Sequence, residues 1–251
     1  MYLPKSTIAF GIQHQFKGSA DMTRRACLLL AAVLLPSCSA MQDEPRGPQD
    51  LAATQRAKDL LWIVESDSGT AISSATAFGP GRLVTTATSV EDWVGLPLRV
   101  RRNGTVLPVR AMQLAVHQNF AILQVQEPGL QAPQAAADPA PNQRLFMAAA
   151  NGGNVFDGGG PVVPLSAPVD GIANPRDVVV AELPAARGFA GGPVVDSGGN
   201  LIGIASGVLR GGVVDPAVPA SVTPGSRVPH RSVIVLPVRV IDRTMQQEGL
   251  R

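Results

Sequence analysis

The sequence predicts an all-β protein, and its composition and turn residues support that prediction. Glycine and proline, which mark turns, account for 26 and 22 of the 251 residues, whereas only 16% of the residues are charged. This composition favours many short strands joined by turns over long helices. The length of the chain suits one all-β unit of many strands.

The first part of the chain has the pattern of a signal peptide. Residues 22–25 form a short positive region, and the apolar run of residues 26–35 is too short to span a bilayer. The next residues, Leu35-Pro36-Ser37-Cys38, resemble a bacterial lipobox, in which the cysteine becomes the lipidated first residue of the mature protein. We therefore interpret residues 22–37 as a lipoprotein signal peptide and Cys38 as the lipidated residue.

This signal implies a place in the bacterial cell envelope. Serine rather than aspartate follows Cys38, which favours sorting to the outer membrane, with the protein facing the periplasm. The alternative is an ordinary signal peptide cut near Ser39-Ala40, which would give a soluble periplasmic protein. Cys27 and Cys38 are the two cysteines of the chain, so no disulfide is expected after the leader.

Two segments flank the signal peptide. Residues 1–21 have no helix or strand period and are interpreted as a wrongly assigned start, with translation beginning at Met22, or as a disordered extension. Residues 38–50 are polar and proline-containing, which predicts a flexible tether. A short helix is predicted over residues 49–60.

Short apolar runs bounded by turn residues predict the strands. Asn103-Gly104 predicts a hairpin over residues 99–111, because this pair accepts positive φ at both positions. The glycine-rich residues 151–160 are interpreted as a loop, without the glycine pattern that binds phosphates. Further strands are predicted at residues 61–65, 73–78, 120–126, 144–147, 177–180 and 233–238, and a terminal helix at residues 239–247.

Three blocks of sequence carry a family resemblance. They are Leu83-Val84-Thr85-Thr86-Ala87-Thr88-Ser89-Val90, Asn119-Phe120-Ala121-Ile122-Leu123 and Gly188-Phe189-Ala190-Gly191-Gly192-Pro193-Val194-Val195-Asp196. They resemble the histidine, aspartate and serine blocks of the trypsin-like serine protease superfamily, in the same order. The sequences of the three blocks are most similar to the bacterial high-temperature-requirement branch, and the resemblance covers about residues 60–243.

The resemblance implies the chymotrypsin fold. Its architecture is all-β, with two six-stranded antiparallel β-barrels (the trypsin-like double barrel) and a short C-terminal helix. On this basis residues 51–127 are expected to form the first barrel and residues 128–143 a crossover linker. Residues 144–251 are expected to form the second barrel and the C-terminal helix.

The same resemblance places Thr88, Asn119 and Ala190 at the histidine, aspartate and serine positions of the catalytic triad. Hydrolysis by this triad needs a nucleophile, a base that accepts its proton and a group that orients the base. Alanine has no nucleophile, threonine is not a base near neutral pH, and asparagine does not stabilise an imidazolium. We therefore expect no catalytic residues and interpret the chain as a pseudoenzyme.

Features of the family that use main-chain atoms are expected to remain. The resemblance implies an oxyanion hole formed by the backbone N–H groups of Gly188 and Ala190, which a side-chain replacement does not remove. It also implies a strand that pairs with the main chain of a substrate, at Ala205, Ser206 and Gly207. An extended polypeptide or an envelope protein is therefore the expected partner.

Composition and residue spacing exclude several other classes of function. A net charge of +2 without a basic run gives no face for nucleic acid, and the aromatic content of 4% gives no base-stacking surface. No group of His, Cys, Asp and Glu has metal-ligand spacing, so neither a metal nor another cofactor is expected. His117 and His230 are interpreted as solvated or structural, although in a regular strand residue 117 would share a face with residue 119.

Two functions of different class remain after these exclusions. The first is an inactive homologue of a trypsin-like serine protease, anchored in the envelope by lipid and binding a polypeptide. The alternative is a serine endopeptidase with displaced catalytic residues.

Overall fold

The computed structural model describes residues 47–127, 129–165, 174–210, 213–215 and 228–250. The predicted extension, the signal peptide and Cys38 lie outside the described residues. Within the described ranges, no helix has both the length and the hydropathy needed to cross a membrane. The helices are α1 (Pro48–Leu60), α2 (Ala87–Val90) and α3 (Val238–Glu248), and the strands are β1 (Leu61–Ser66), β2 (Ala71–Gly79), β3 (Arg82–Thr85), β4 (Leu98–Arg102), β5 (Thr105–Ala115), β6 (Phe120–Val125), β7 (Arg144–Asn151), β8 (Asn154–Pro161), β9 (Val179–Pro184), β10 (Pro193–Val195), β11 (Leu201–Arg210), β12 (Val213–Asp215) and β13 (His230–Pro237).

The first barrel is a closed antiparallel sheet of six strands in the order β1-β2-β3-β6-β5-β4. Strand β1 closes it by pairing with β2 on one side and with β4 on the other. Fully buried side chains such as Trp62, Leu83 and Leu123 belong to its core. The predicted hairpin is confirmed, because Asn103 (φ 48°) and Gly104 (φ 82°) form the turn between β4 and β5.

The second barrel contains six strands in the order β8-β7-β10-β11-β13-β9, with the short β12 paired to β11. Its two end strands meet through a bridge between Val162 and Ala181 and a hydrogen bond of 2.8 Å from the Val163 N–H to the Val180 carbonyl, so this barrel is nearly closed. The predicted fold class is confirmed: two six-stranded antiparallel barrels and a short C-terminal helix.

The interpretation of residues 151–160 as a loop is wrong. Gly152 and Gly153 form a tight turn, and the glycines after them belong to β8, which pairs with β7 along its whole length. A Cβ atom on Gly160 would lie 1.8 Å from the Glu182 carbonyl oxygen of β9. Glycine is needed here because two strand backbones approach closely, and glycine-rich strands lack the side-chain pattern by which strands are predicted.

Helix α1 shifts two of the predicted boundaries. It begins at Pro48, inside the predicted tether of residues 38–50, because proline is compatible with the first turn of a helix. Residues 51–60, assigned by prediction to the first barrel, are helical and lie against β7, β8 and β10 of the second barrel. Ala53 and Ala57 are buried in that contact. The first barrel itself begins at Leu61.

Helix α3 covers a junction between the two barrels. Its residues Val240 and Ile241 are fully buried in a cluster that also contains Val84 and Phe120 from the first barrel and Ile204 from the second. The cluster therefore holds together the strands that carry the candidate site. Burial of each large apolar side chain stabilises the folded protein by on the order of 2 kcal/mol through the hydrophobic effect.

Charged residues fix the start of α3 to the neighbouring segments. Arg243 Nη2 lies 2.7 Å from Asp177 Oδ1, and Arg239 Nε lies 2.7 Å from Asp138 Oδ1 in the crossover segment. Partial burial raises the pKa of Asp177, but the hydrogen bond and charge of Arg243, together with Asn174 and Arg239, bring that pKa below its ordinary value. Asp177 is therefore held as a carboxylate partner of the helix.

Candidate functional site

The candidate site is built around the loop Gly188-Phe189-Ala190-Gly191-Gly192 between β9 and β10. Gly188 and Gly191 both have positive φ, at 86° and 87°, which glycine adopts without strain. The Phe189 side chain is 2% exposed in the core of the second barrel and anchors the loop. Ala190 consequently lies half-buried at the surface of the site.

Two buried hydroxyl groups of β2 hold this loop against the first barrel. The Ser74 Oγ donates to the Gly188 carbonyl at 2.8 Å and accepts from the Ala150 N–H at 2.9 Å. The Ser74 N–H lies 3.0 Å from the Ala190 carbonyl oxygen, and the Thr76 Oγ1 donates to the Gly191 carbonyl at 2.7 Å.

Sequence reasoning missed both hydroxyl residues. Residues 74 and 76 alternate along β2 and therefore share a face, which was the available signal. The loop carbonyls to which they donate are more than 110 residues away in the chain, so the signal did not identify what they hold.

The main-chain donors predicted for an oxyanion hole can be compared by their hydrogen bonds. The Phe189 N–H donates to the Ala186 carbonyl at 3.1 Å, which fixes the turn. The N–H groups of Gly188 and Ala190 make no hydrogen bond with another described residue. The oxyanion hole therefore stays a prediction.

Asn119 connects the two barrels. It has a left-handed backbone (φ 53°, ψ 45°), a conformation that asparagine tolerates better than most residues. Its Oδ1 accepts from the Thr88 N–H at 3.0 Å, and its Nδ2 lies 3.2 Å from the Ser206 Oγ. Thr88 and Asn119 are thus in direct contact, as their shared place in the resemblance implies.

The geometry before Asn119 differs from a regular strand. Val116–Gln118 is a turn of 3-10 helix, so residue 117 does not share a strand face with residue 119. The His117 side chain is exposed.

Strand β11 contributes a shorter binding edge than the sequence predicted. The Ala205 N–H donates to the Gly192 carbonyl at 2.8 Å, and the Ala205 carbonyl accepts from the Gly191 N–H at 2.7 Å. Residues Val208 to Arg210 pair with β12. Ala205 is therefore occupied by the loop, and the edge that remains for an added strand consists of Ser206 and Gly207.

Ser206 has a special place on that edge. The register between β11 and β13 shifts between Ala205 and Gly207, so Ser206 is the extra residue of a β-bulge. A bulge turns one side chain away from the regular alternation of a strand. Here it brings the Ser206 hydroxyl to the Asn119 amide.

The predicted site residues therefore converge. Thr88 contacts Asn119, Asn119 contacts Ser206, and the residues beside Ser206 and Ala190 are joined by the hydrogen bond between Ala205 and Gly191. No group of three or more His, Cys, Asp or Glu side chains with the geometry of a metal site occurs in the part of the chain that the structure describes.

A family match agrees with this fold. The model of the trypsin-like peptidase domain matches residues 63–204, which is more than half of the chain and extends from β1 to β11. The chain therefore belongs to the trypsin-like peptidase domain family. No curated protein shows significant sequence similarity to it.

Solved structures give the same fold at low sequence identity. The inactive form of a serine-to-alanine mutant of Rv3671c from M. tuberculosis H37Rv has a TM-score of 0.60 at 18% identity, over 82% of this chain and 95% of that one. The HtrA-type protease AlgW with a decapeptide has a TM-score of 0.59 at 15% identity, over 78% of this chain and 66% of that one. The MamO protease domain from Magnetospirillum magneticum has a TM-score of 0.55 at 18% identity, over 75% and 97%.

Proposed function

We propose that this chain is a non-catalytic member of its family that binds an extended polypeptide in the cleft between the barrels. The observation that carries the proposal is the identity of the residues that converge there. Thr88, Asn119 and Ala190 supply a hydroxyl, an amide and a methyl group in place of a base, an orienting carboxylate and a nucleophile. Loss of the nucleophile or the base alone lowers kcat on the order of a million-fold in subtilisin.

The hydrogen bonds of Asn119 support the same proposal. A carboxylate that orients a catalytic histidine must accept a hydrogen bond from the imidazole. Among the described residues the Asn119 amide bonds to the Thr88 N–H and the Ser206 hydroxyl, and no imidazole contacts it. These contacts give Asn119 a role in holding the two barrels together that requires no catalysis.

The alternative of displaced catalytic residues has no support among the described side chains. Neither His117 nor His230 makes a hydrogen bond to a serine within the described residues. A serine nucleophile needs such a base within hydrogen-bond reach.

Main-chain groups support the binding of a polypeptide. The N–H groups of Gly188 and Ala190 have no described partner, and Ser206 and Gly207 lie on β11 between the residues that pair with β10 and those that pair with β12. Strand addition at such an edge uses main-chain hydrogen bonds and needs no catalytic side chain.

We expect the purified full chain neither to cleave casein nor to react with a fluorophosphonate probe, because Ala190 offers no nucleophile. Trypsin treated in parallel is the positive control. The single variant Ala190→Ser is expected to stay unlabelled as well, since Thr88 cannot accept its proton. Labelling of the wild-type chain that disappears on replacing one serine would instead establish the displaced-residue enzyme.

The proposed location is the periplasmic face of the bacterial outer membrane, with Cys38 carrying the lipid. Cells given a labelled fatty acid should incorporate it into the wild-type chain and into Cys27→Ala, but not into Cys38→Ala. Cys27 is the matched control because it is the other cysteine of the chain and lies within the apolar run. Equal labelling of both variants, or none in the wild type, would contradict lipidation at Cys38.

A further inference from the structure

A small cavity lies beside the Gly188 end of the loop, apart from the residues that converge at Asn119. Its volume is about 220 Å³. It lies between the start of β2 on the first barrel and the β7–β8 turn on the second. The lining residues that bear on its chemistry are Ala150, Asn151, Arg187 and Gly188.

One hydrogen-bond donor of this cavity lacks a partner. The Asn151 Nδ2 is buried and makes no hydrogen bond. Leaving such a donor unpaired costs about 1–3 kcal/mol, so an acceptor that reaches the Asn151 amide would be stabilising. Asn151 as a whole is only half-buried, and a half-turn of the amide exchanges the positions of its oxygen and nitrogen.

A second donor lies next to it. A Cβ atom on Gly188 would lie 2.7 Å from the Ala150 carbonyl oxygen and 3.9 Å from the Asn151 Cα, so the loop packs directly on the end of β7. The Gly188 N–H has no hydrogen bond to a described residue. The cavity therefore adjoins the main chain to which we assign the polypeptide.

The charge of the cavity favours an anion. Arg187 is the single charged residue among those that line it, and its side chain is exposed. It forms no ion pair with another described residue. A guanidinium group binds a carboxylate through paired hydrogen bonds, which are stronger than hydrogen bonds between neutral groups.

We infer that this cavity binds a carboxylate group of the polypeptide held in the cleft, through Arg187, Asn151 and the Gly188 N–H. The inference rests on the proposed polypeptide binding and adds its chemical preference. The carboxylate is either the C-terminus of the polypeptide or an Asp or Glu side chain within it. A volume of about 220 Å³ accommodates a single residue or chain end rather than a folded surface.

Three synthetic octapeptide libraries, immobilised through their N-termini, test the inference with the labelled full chain. The first library has free C-terminal carboxylates and no acidic residues, the second has the same sequences with C-terminal amides, and the third has amides with one Asp or Glu. We expect at least about tenfold tighter binding to the first or the third library than to the second, as one charge-assisted contact provides. Preference for the first identifies a chain end, and preference for the third identifies a side chain.

Three variants locate the effect. Arg187→Gln is expected to lose about tenfold in affinity for the preferred library, and Asn151→Leu several-fold. Arg110→Gln, an exposed arginine of β5 outside this cavity, removes the same charge and is expected to change affinity less than about twofold. Thermal unfolding of each variant confirms that it is folded.

The experiment distinguishes failure of the carboxylate site from failure of polypeptide binding. Equal binding to all three libraries, or equal losses in Arg187→Gln and Arg110→Gln, would overturn the carboxylate site and leave polypeptide binding intact. Absence of binding to every library would overturn the proposed polypeptide binding and this inference with it.

Discussion

Gly191→Ala is expected to destabilise the protein by more than about 4 kcal/mol, a loss that places it among the most damaging single changes. A Cβ atom on Gly191 would lie 2.1 Å from the Ser74 carbonyl oxygen and 2.5 Å from the Thr85 Oγ1. The first contact is with backbone, so no rotation of a side chain relieves it. Urea unfolding of the purified variant measures the loss.

Gly104→Ala is the matched control for that change. Its φ of 82° is close to the 87° of Gly191, and nothing lies within 4 Å of the added Cβ atom. Alanine at such a φ costs about 1–2 kcal/mol by itself. The difference between the two variants therefore measures the approach of the loop to the first barrel. Equal losses would show that positive φ, and not this approach, requires glycine at position 191.

The close contact at Gly191 also explains why the sequence has two consecutive glycines after Ala190. A Cβ atom on the next residue, Gly192, would lie 2.6 Å from the Ala148 carbonyl oxygen. Glycine is needed at positions 191 and 192 because neighbouring backbone approaches both, whatever side chain stands at position 190. Packing explains the glycines at positions 191 and 192, so they give no argument for catalysis.

Local patterns made much of the fold predictable. The turn Asn103-Gly104 specified its hairpin through its own backbone preference, and the three blocks of family resemblance gave the order of the barrels. The prediction of a loop over residues 151–160 was wrong because a strand distant in sequence determines which residues fit there. Strand β8 carries glycine at residue 160 because β9 lies against it, and this neighbour is not visible from the residues around it.

The candidate site was predictable as a set of positions but not as a set of contacts. Thr88, Asn119 and Ala190 were identified by resemblance, while Ser74 and Thr76, which hold the loop, were not. Ala205 was predicted to pair with the main chain of a ligand, yet its own main chain is bonded to Gly191 and Gly192. Hydrogen bonds between segments over a hundred residues apart follow from tertiary packing, for which a single sequence contains no direct signal.

Removal of the Arg101 side-chain charge is the second change with a large expected effect. The Arg101 Nε lies 2.6 Å from the Glu65 Oε1, and the Glu65 side chain is 4% exposed. Arg99 is the other cation nearby, with its Nη2 3.8 Å from the Glu65 Oε2. Arg101→Met therefore leaves a buried carboxylate poorly compensated, and we expect a loss of about 3–5 kcal/mol in the free energy of unfolding.

Lys58→Met is the matched control, because Lys58 Nζ and Asp157 Oδ2 are 2.7 Å apart but the Lys58 side chain is 38% exposed. Its expected loss is below about 1 kcal/mol, since water screens the charges of such a pair. The double variant Glu65→Met, Arg101→Met should recover much of the loss of Arg101→Met, because it removes the unpaired charge as well. Glu65 and Arg101 join β1 to β4, the pair of strands that closes the first barrel. If Arg101→Met and Lys58→Met cost the same, the Glu65 carboxylate does not hold this closure, which then depends on the pairing of β1 with β4 and on the apolar core of the barrel.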